Sequence, residues 1–339
     1  MDRWEGGVEP RKEVAFVNQN NPMDSDFVLR MDHEVAAHGR WVVVNWCITS
    51  RCNFWCRYCV PGLHDGGVPA LSPEACCWFV DRVMDHYGRT LGRKVYFEFT
   101  GGEATFYPGL LEVLRHIKLR GGACGLISNG SQSLEYWRGL APLLDHLCLS
   151  YHPWRGDPED FLEKADFLHR ETSVHFNVMM DPRHFQPALE MVAALRASVT
   201  NATICAQPLL ESLNPGSPLL AYDEDQLTAI DGLDGTVAWD REPFTYRGGM
   251  RLVRRSGESE LLQASQIALR QLNRWHGWTC WAGLESLAVQ VNGEVFRAWC
   301  RQDYLGRIQD PDWSFPRLPA VCKRESCHCN ADIVTRREL

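Results

Sequence analysis

Residues 48–60 read ITSRCNFWCRYCV and contain three cysteines, Cys52, Cys56 and Cys59, in the spacing Cys-x3-Cys-x2-Cys. Three thiolates this close in sequence can hold three corners of a cubane 4Fe-4S cluster and leave its fourth iron open to an exchangeable ligand. A structural zinc site instead needs a closed tetrahedral set, for which His64 is a candidate fourth ligand. The stretch favours an iron–sulfur centre, with zinc or buried core cysteines as the alternatives.

The cysteines directly follow the first of six short apolar runs that predict strands. These runs are Trp41–Thr49, Lys94–Thr100, Ala123–Ser128, Asp145–Tyr151, Ser173–Met180 and Asn201–Gln207. Amphipathic stretches between them predict helices at Ser72–Tyr87, Gly109–Arg120, Asp157–Arg170 and His184–Ala197. Six β-α units in a row predict a parallel sheet with right-handed crossovers, as an open sheet or as a barrel.

Composition excludes several classes of protein. The chain has 339 residues, of which 45% are hydrophobic and 23% charged, as in ordinary globular proteins. No apolar run approaches the roughly 20 residues of a membrane helix, and the first residues lack the apolar core of a secretory signal. We therefore expect a cytoplasmic protein with no membrane partner, in which the 14 cysteines are metal ligands or core residues rather than disulfides. The net charge of −8 argues against a nucleic-acid partner.

At the three cysteines the sequence resembles the radical SAM superfamily, and the resemblance extends over roughly residues 41–330. In that superfamily the three-cysteine loop holds a 4Fe-4S cluster, and S-adenosylmethionine (SAM) chelates its open iron. The resemblance implies the family's fold, a partial (β/α)6 TIM-type barrel of the α/β class. In such barrels, ligands bind at the C-terminal edge of the strands.

Further motifs at that edge also resemble the superfamily. Gly101-Gly102-Glu103 follows the second strand, where the family contacts the methionine amino group of SAM. Ala104 departs from the usual proline. Ser128 and Asn129, in Ser-Asn-Gly, resemble the segment beside the ribose. The remaining matches are a serine at the end of the fourth strand and an aromatic residue beside the adenine, Ser150 and Tyr58.

Five more cysteines lie near the C-terminus, and two of them flank a predicted hairpin that turns at Asn292-Gly293. They are Cys280, Cys300, Cys322, Cys327 and Cys329. The pattern resembles the twitch form of the SPASM-like auxiliary-cluster domains of the superfamily, with a longer hairpin arm and a compressed tail. It implies one auxiliary 4Fe-4S cluster, for which five cysteines compete for four positions; a structural zinc knuckle is the alternative.

The resemblance also implies the reaction. The reduced cluster cleaves SAM to methionine and a 5′-deoxyadenosyl radical, which takes a hydrogen atom from the substrate, as in an oxidoreductase or a lyase. Polar residues near strand ends are the substrate candidates: His152, Arg155, Asn177, Asp181 and Gln207. If the outcome is an epimerisation, a thiol must return a hydrogen atom, and Cys205 and Cys148 are the candidates for this catalytic role.

The substrate class divides into two predictions. About 40 residues precede the first predicted strand, too few for the peptide-recognition domain that many peptide-modifying relatives carry there. We therefore expect a small polar molecule (a sugar, an aminocyclitol or a nucleoside) that is dehydrogenated, epimerised or decarboxylated in natural-product biosynthesis. A maturase of a ribosomally made peptide is the alternative, and a zinc-binding scaffold is the non-enzymatic one. The expected electron donor is a flavodoxin or a ferredoxin.

These patterns divide the chain into four segments. Residues 1–40 form an irregular N-terminal extension, and residues 41–208 form the partial barrel. Residues 209–274 form a linker with a basic hairpin and helices, including a predicted helix at Glu258–Arg274. Residues 275–339 form the small Cys-rich auxiliary domain.

Overall fold

The structure is a computed structural model that describes residues 26–212, 217–231, 233, 235–236, 242–327 and 329–339. Residues 1–25 of the predicted N-terminal extension and parts of the predicted linker lie outside the described residues. No helix within the described ranges is long and apolar enough to cross a membrane.

The described part of the chain alternates strands and helices through its first two thirds. Its strands are β1 (Val28–His33), β2 (Trp41–Thr49), β3 (Lys94–Gly101), β4 (Ala123–Ser128), β5 (His146–Tyr151), β6 (Ser173–Met180), β7 (Ala202–Pro208), β8 (Gly235–Thr236), β9 (Met250–Arg254), β10 (Ser259–Leu262), β11 (Thr279–Cys280), β12 (Ser286–Val289), β13 (Glu294–Phe296), β14 (Tyr304–Arg307), β15 (Ala320–Val321) and β16 (Arg337–Glu338). Its helices are α1 (Pro73–Val83), α2 (Leu110–Leu119), α3 (Leu134–Leu140), α4 (Pro158–Glu171), α5 (Phe185–Ser198), α6 (Glu224–Asp231), α7 (Ala264–Leu269) and α8 (Asn330–Ile333).

The larger sheet has ten strands in the order β14-β13-β12-β2-β3-β4-β5-β6-β7-β8. The six strands from β2 to β7 pair in parallel with their sequential neighbours, as the β-α alternation predicts. Parallel pairing brings the carboxyl ends of these strands to one edge. The predicted cysteine loop, Gly-Gly-Glu and Ser-Asn-Gly segments all leave the sheet at this edge.

Side-chain alternation divides each central strand between two environments. On β2, Val44, Trp46 and Ile48 belong to the core beneath α1 and α2, whereas Asn45 and Cys47 point to the opposite face. Helix α1 begins after Ser72, whose hydroxyl accepts a hydrogen bond from the Ala75 N–H, as an N-cap should. The helix-covered face is thus the apolar core, and the other face carries polar side chains.

A second sheet has six strands in the order β10-β9-β1-β16-β11-β15. It corrects two expectations. The predicted irregular extension contains β1, which pairs with β9 and β16. The predicted helix at Glu258–Arg274 begins instead with the strand β10, which forms a hairpin with β9, and only Ala264–Leu269 is helical. Pairing with β9 satisfies the backbone of β10, so tertiary context overrides its local helical pattern.

The predicted hairpin around Asn292-Gly293 is present as β12 and β13, which pair antiparallel. Its first strand, β12, also pairs in parallel with β2, from Ser286 opposite Val43 to Val289 opposite Trp46. The C-terminal hairpin therefore extends the main sheet on the side of the strand that leads into the cysteine loop.

Candidate functional site

The three-cysteine loop begins at the end of β2 and folds back on itself. The Cys52 N–H donates to the His64 carbonyl at 3.0 Å, and the Cys59 N–H donates to the Cys56 carbonyl at 3.1 Å. Cys56 is buried, while Cys52 and Cys59 are half-buried. Burial, reinforced by the neighbouring sulfurs of Cys52 and Cys59, raises the pKa of Cys56 to about 11. A bound cation would reverse this effect, because metal ligation stabilises the thiolate form.

Backbone hydrogen bonds join the Gly-Gly-Glu segment to the start of the cysteine loop. The Gly102 N–H donates to the Thr49 carbonyl and the Glu103 N–H to the Arg51 carbonyl, both at 2.8 Å. A Cβ atom on Gly101, whose φ is +139°, would lie 2.3 Å from the Thr49 oxygen, and one on Gly102 would lie 2.4 Å from the Arg51 oxygen. Only glycine allows the two backbones to approach this closely. Both glycines are therefore required for packing against the loop.

The Glu103 side chain is 1% exposed and accepts four hydrogen bonds. Its Oε1 accepts from the Thr105 N–H at 3.1 Å, and from the hydroxyls of Thr105 and Ser128, each at 2.8 Å. Its Oε2 accepts from the Asn129 N–H at 2.7 Å. Burial raises the pKa of Glu103, and these hydrogen bonds act in the opposite direction. A carboxylate has about four acceptor positions, so Oε2 keeps the capacity for a further donor.

Asn129 connects the end of β4 to the cysteine loop. Its Nδ2 donates to the Asn53 side-chain oxygen at 2.9 Å and lies 3.9 Å from the Cys52 sulfur. The loop, the Gly-Gly-Glu segment and the Ser-Asn segment are therefore joined in one hydrogen-bonded assembly at the carboxyl ends of β2, β3 and β4. Ala104, at the position where the family has proline, is fully buried at the start of a short 3-10 turn.

Tyr58 and His152 pack together beside the cysteines. The His152 Nδ1 lies 3.2 Å from the Tyr58 hydroxyl and 3.5 Å from the Cys56 sulfur. Phe54 contacts the His152 ring edge-on, with ring centroids 5.3 Å apart. Burial lowers the pKa of His152 to about 4, so the imidazole is neutral at physiological pH. His152 therefore lies against the cysteine loop, on the strand end that also carries the buried Ser150.

A cleft of about 740 Å3 opens next to this assembly. Trp55, Arg57, Tyr58, Trp154 and Arg155 are among the residues that line it. Two other predicted substrate residues have partners of their own. Asp181, also at the cleft, accepts hydrogen bonds from the backbone and the guanidinium of Arg183. The Gln207 Nε2 donates to the Pro208 carbonyl at 2.9 Å, which leaves its side-chain oxygen for another contact.

The two predicted hydrogen-donor cysteines lie on adjoining parts of the polar face. The Asn177 Nδ2 donates to the Cys148 sulfur at 3.1 Å, and Asn177 stands opposite Cys205 in the strand register. The Asn177 side-chain oxygen lies 2.9 Å from the His175 Nε2. Cys148 is buried and its pKa is raised strongly by that burial, so it remains a neutral thiol.

Sequence reasoning missed a buried acid on the same face. Glu98 on β3 is 9% exposed, and its Oε1 accepts a hydrogen bond from the Tyr246 hydroxyl at 2.7 Å. The Tyr246 ring packs on Tyr96 with centroids 4.1 Å apart. Burial raises the pKa of Glu98. The signal available in the sequence was a single acidic residue, Glu98, within the strand run KVYFEFT.

The C-terminal cysteines separate into two groups. Four of them, Cys280, Cys300, Cys322 and Cys327, line one small cavity together with Asp332 and Arg337, whereas Cys329 is not among its lining residues. The cavity volume is about 20 Å3. Burial and the nearby Asp332 raise the pKa of Cys300 to about 11.

The side chains around this cavity suit an anionic iron–sulfur cluster. Arg337 is 3% exposed, and its guanidinium Nη2 lies 3.6 Å from the Cys327 sulfur, while its Nε has no hydrogen-bond partner. A buried cation of this kind needs a negative partner. Among the residues described, no three His, Cys, Asp or Glu side chains form a group able to hold one metal ion. A 4Fe-4S cluster differs because each thiolate binds a separate iron, so its ligands stand further apart.

Comparison with solved structures identifies a structural relative. The structure aligns with Streptococcus suis SuiB bound to S-adenosylmethionine with a TM-score of 0.51 at 12% sequence identity, covering 80% of this chain and 64% of SuiB. The chain shares its fold with SuiB. A second SuiB structure aligns with a TM-score of 0.51 at 13% identity, covering 82% of this chain and 66% of SuiB. No protein-family model and no curated protein matches the sequence.

SuiB has also been solved with the precursor peptide SuiA, and that structure aligns with a TM-score of 0.49 at 10% identity, covering 79% of this chain and 63% of SuiB. This chain spans just under two thirds of the length of SuiB. The likeness confirms the predicted mixed α/β fold with a parallel sheet. The partial barrel, the cluster sites and the individual site residues stay predictions.

Proposed function

We propose that this protein is a radical SAM enzyme, with a 4Fe-4S cluster held by Cys52, Cys56 and Cys59 at the carboxyl ends of the parallel strands. The observation that carries the proposal is the shared hydrogen-bonded assembly of the cysteine loop, Gly102-Glu103 and Ser128-Asn129. An isolated Gly-Gly-Glu or Ser-Asn-Gly would be an ordinary turn. The fold shared with SAM-bound SuiB supports the same assignment.

When bound and reduced, the cluster would cleave SAM reductively to methionine and a 5′-deoxyadenosyl radical. Residues of this chain would bind and orient the SAM molecule. Oε2 of Glu103, held by the Asn129 N–H, has the acceptor capacity to receive the methionine ammonium of SAM. Tyr58, Ser128, Asn129 and Ser150 are proposed to border the nucleoside. The neutral His152, packed between Phe54 and Tyr58, keeps water from the Cys56 sulfur.

For the C-terminal cysteines, we propose one auxiliary 4Fe-4S cluster held by Cys280, Cys300, Cys322 and Cys327. Their shared cavity supports this choice, and it leaves Cys329 as the fifth cysteine. The alternative from sequence, in which both Cys327 and Cys329 bind and Cys322 is left out, has less support, because Cys322 lines the cavity and Cys329 does not.

For the substrate, the likeness to SuiB supports the peptide alternative better than the small polar molecule that the sequence favoured. A peptide is therefore our first candidate. The open cleft beside the cysteine loop suits such a substrate, since Trp55 and Trp154 offer apolar faces and Arg57 and Arg155 offer cations for carboxylate groups. His152, Asn177, Asp181 and Gln207 remain proposed substrate contacts.

The proposal is tested by anaerobic reconstitution followed by incubation with SAM and dithionite. The parent protein should be brown, contain about eight iron and eight sulfide per chain when both clusters are present, and form 5′-deoxyadenosine. Replacing Cys52, Cys56 and Cys59 together by Ala should abolish that product and spare the auxiliary iron. A matched control replaces three cysteines outside the proposed clusters, Cys76, Cys77 and Cys124, and should keep the activity.

Colourless protein that binds zinc in place of iron would reject the proposal in favour of the zinc-binding scaffold. Loss of all iron from the triple Cys52, Cys56 and Cys59 variant would show that the cysteines are divided wrongly between the two sites. Substrate class is tested separately by supplying candidate precursor peptides and polar small molecules, and following deuterium transfer from substrate into 5′-deoxyadenosine.

A further inference from the structure

Strand pairing places Arg337 in the auxiliary cysteine cavity. In the antiparallel register of β11 and β16, Arg337 stands directly opposite Cys280. Residues directly opposite each other in such a pair project from the same face of the sheet. Both side chains therefore enter the cavity that Cys300, Cys322 and Cys327 complete.

The Arg337 guanidinium is held firmly by neutral groups. Its Nη1 donates to the carbonyls of Ile333 and Thr335, at 2.9 and 2.8 Å, and its Nη2 donates to the Asp332 carbonyl at 2.7 Å. The guanidinium carbon lies 3.9 Å from the centre of the Trp275 ring, close enough for a cation–π contact. These contacts fix the position of the cation without a direct ion pair, while the Asp332 carboxylate acts on it through space.

Within the described residues, no carboxylate pairs with Arg337 within 4.0 Å. Arg297, which lines the same cavity, does have such a partner in Asp303, with an N–O distance of 3.3 Å. The Asp332 carboxylate is instead occupied by the N–H groups of Trp299 and Cys300, at 3.0 and 2.7 Å. Because a buried cation without a direct ion pair is unfavourable, the arrangement favours negative charge in the cavity beyond that of Asp332.

We infer that Arg337 is the counter-ion of the auxiliary cluster and raises its midpoint potential. The inference rests on the proposed auxiliary site. A 4Fe-4S cluster with four thiolates is a dianion when oxidised and a trianion when reduced. A fixed cation therefore stabilises the reduced form more than the oxidised form, and burial keeps water from screening the effect. Arg337 acts on the cluster through space and through its contact with Cys327, as a positioning residue.

The test uses the full chain with Cys52, Cys56 and Cys59 replaced by Ala, so that only auxiliary iron remains. A redox titration followed by electron paramagnetic resonance gives the midpoint potential. Arg337→Met and Arg337→Gln remove the charge and should shift the midpoint to lower values, while Arg337→Lys should keep most of the parent value. Arg336→Gln is the matched control, because Arg336 stacks on Trp281 and is not among the lining residues of the cavity.

Two charge-removing variants keep the test valid if one of them fails to fold, as judged by circular dichroism and iron content. A folded Met or Gln variant with full auxiliary iron and the parent midpoint would overturn the inference. A shift of the same size in Arg337→Lys or Arg336→Gln would also overturn it. Failure of the Cys52, Cys56 and Cys59 variant to bind any iron would instead show that the auxiliary cysteines are assigned wrongly, which separates the two claims.

Discussion

The exchange Glu103→Gln tests whether the Gly-Gly-Glu carboxylate both ties the strand ends together and receives SAM. The carboxylate now accepts three hydrogen bonds at Oε1 and one at Oε2. A glutamine that keeps its oxygen at the Oε1 position turns its amide NH2 toward the Asn129 N–H, so two donors face each other. The opposite orientation loses the three bonds at Oε1 instead.

The size of the effect follows from these contacts. One hydrogen bond to a charged acceptor is lost, worth roughly 1.5–3 kcal/mol, and three others fall to the strength of neutral bonds. Part of this loss is offset because glutamine does not bury a charge. We therefore expect the free energy of unfolding to fall by about 3 kcal/mol. We also expect SAM binding to weaken by about 10- to 100-fold, because the ammonium loses its counter-charge.

The measurement is urea denaturation followed by tryptophan fluorescence, together with equilibrium SAM binding to the reconstituted protein. Thr105→Val is the control, because it removes one hydroxyl donor to Oε1 and keeps the negative charge. It should lower the unfolding free energy by about 1 kcal/mol and leave SAM affinity nearly unchanged. A free energy of unfolding for Glu103→Gln within about 0.5 kcal/mol of the parent value would refute the reasoning. An equal loss of SAM affinity in both variants would also refute it.

Three further predictions follow from other contacts. Tyr246→Phe deprives the buried Glu98 carboxylate of a hydrogen bond at 2.7 Å, so the free energy of unfolding measured in urea should fall by about 1–3 kcal/mol; an unchanged value would contradict the contact. Cys322→Ala should lose auxiliary iron and Cys329→Ala should retain it; the reverse pattern of iron content would reassign the ligands. The hydrogen bond from His33 holds the pKa of Glu285 below its ordinary value despite burial, so the stabilisation is present above the unfolded pKa and is lost as the pH falls through the folded pKa. Acid titration of Glu285→Gln should accordingly show a weaker loss of stability, and parallel titration curves would argue against it.

The parallel strands were predictable because their signal is local. The runs at Trp41–Thr49, Ala123–Ser128 and Ser173–Met180 match β2, β4 and β6 residue for residue. Trp41–Thr49 and Ser173–Met180 carry several β-branched and aromatic residues, whereas Ala123–Ser128 is recognised as a short apolar run between two helical stretches. The second sheet was not predictable in this way. Its strands β1, β9 and β16 come from distant parts of the chain, and they depend on pairing that no local pattern encodes.

The candidate site was likewise predictable only where its signal is local in the sequence. The spacing picked out Cys52, Cys56 and Cys59, and the resemblance to the radical SAM superfamily picked out Glu103. The partners of Glu103 and the place of Arg337 depend on which strands lie side by side. An arginine at position 337, the third residue from the end of the sequence, has no distinguishing sequence signal. Long-range register supplies the information that identifies it.

The pairing of β12 with β2 has a consequence for truncation of the chain. Deleting residues 275–339 would remove the neighbour of β2 and leave this strand as an edge of the sheet, with unpaired backbone groups beside an apolar core. Such an edge is prone to pair with other chains. The shortened protein should therefore aggregate rather than fold as an independent unit.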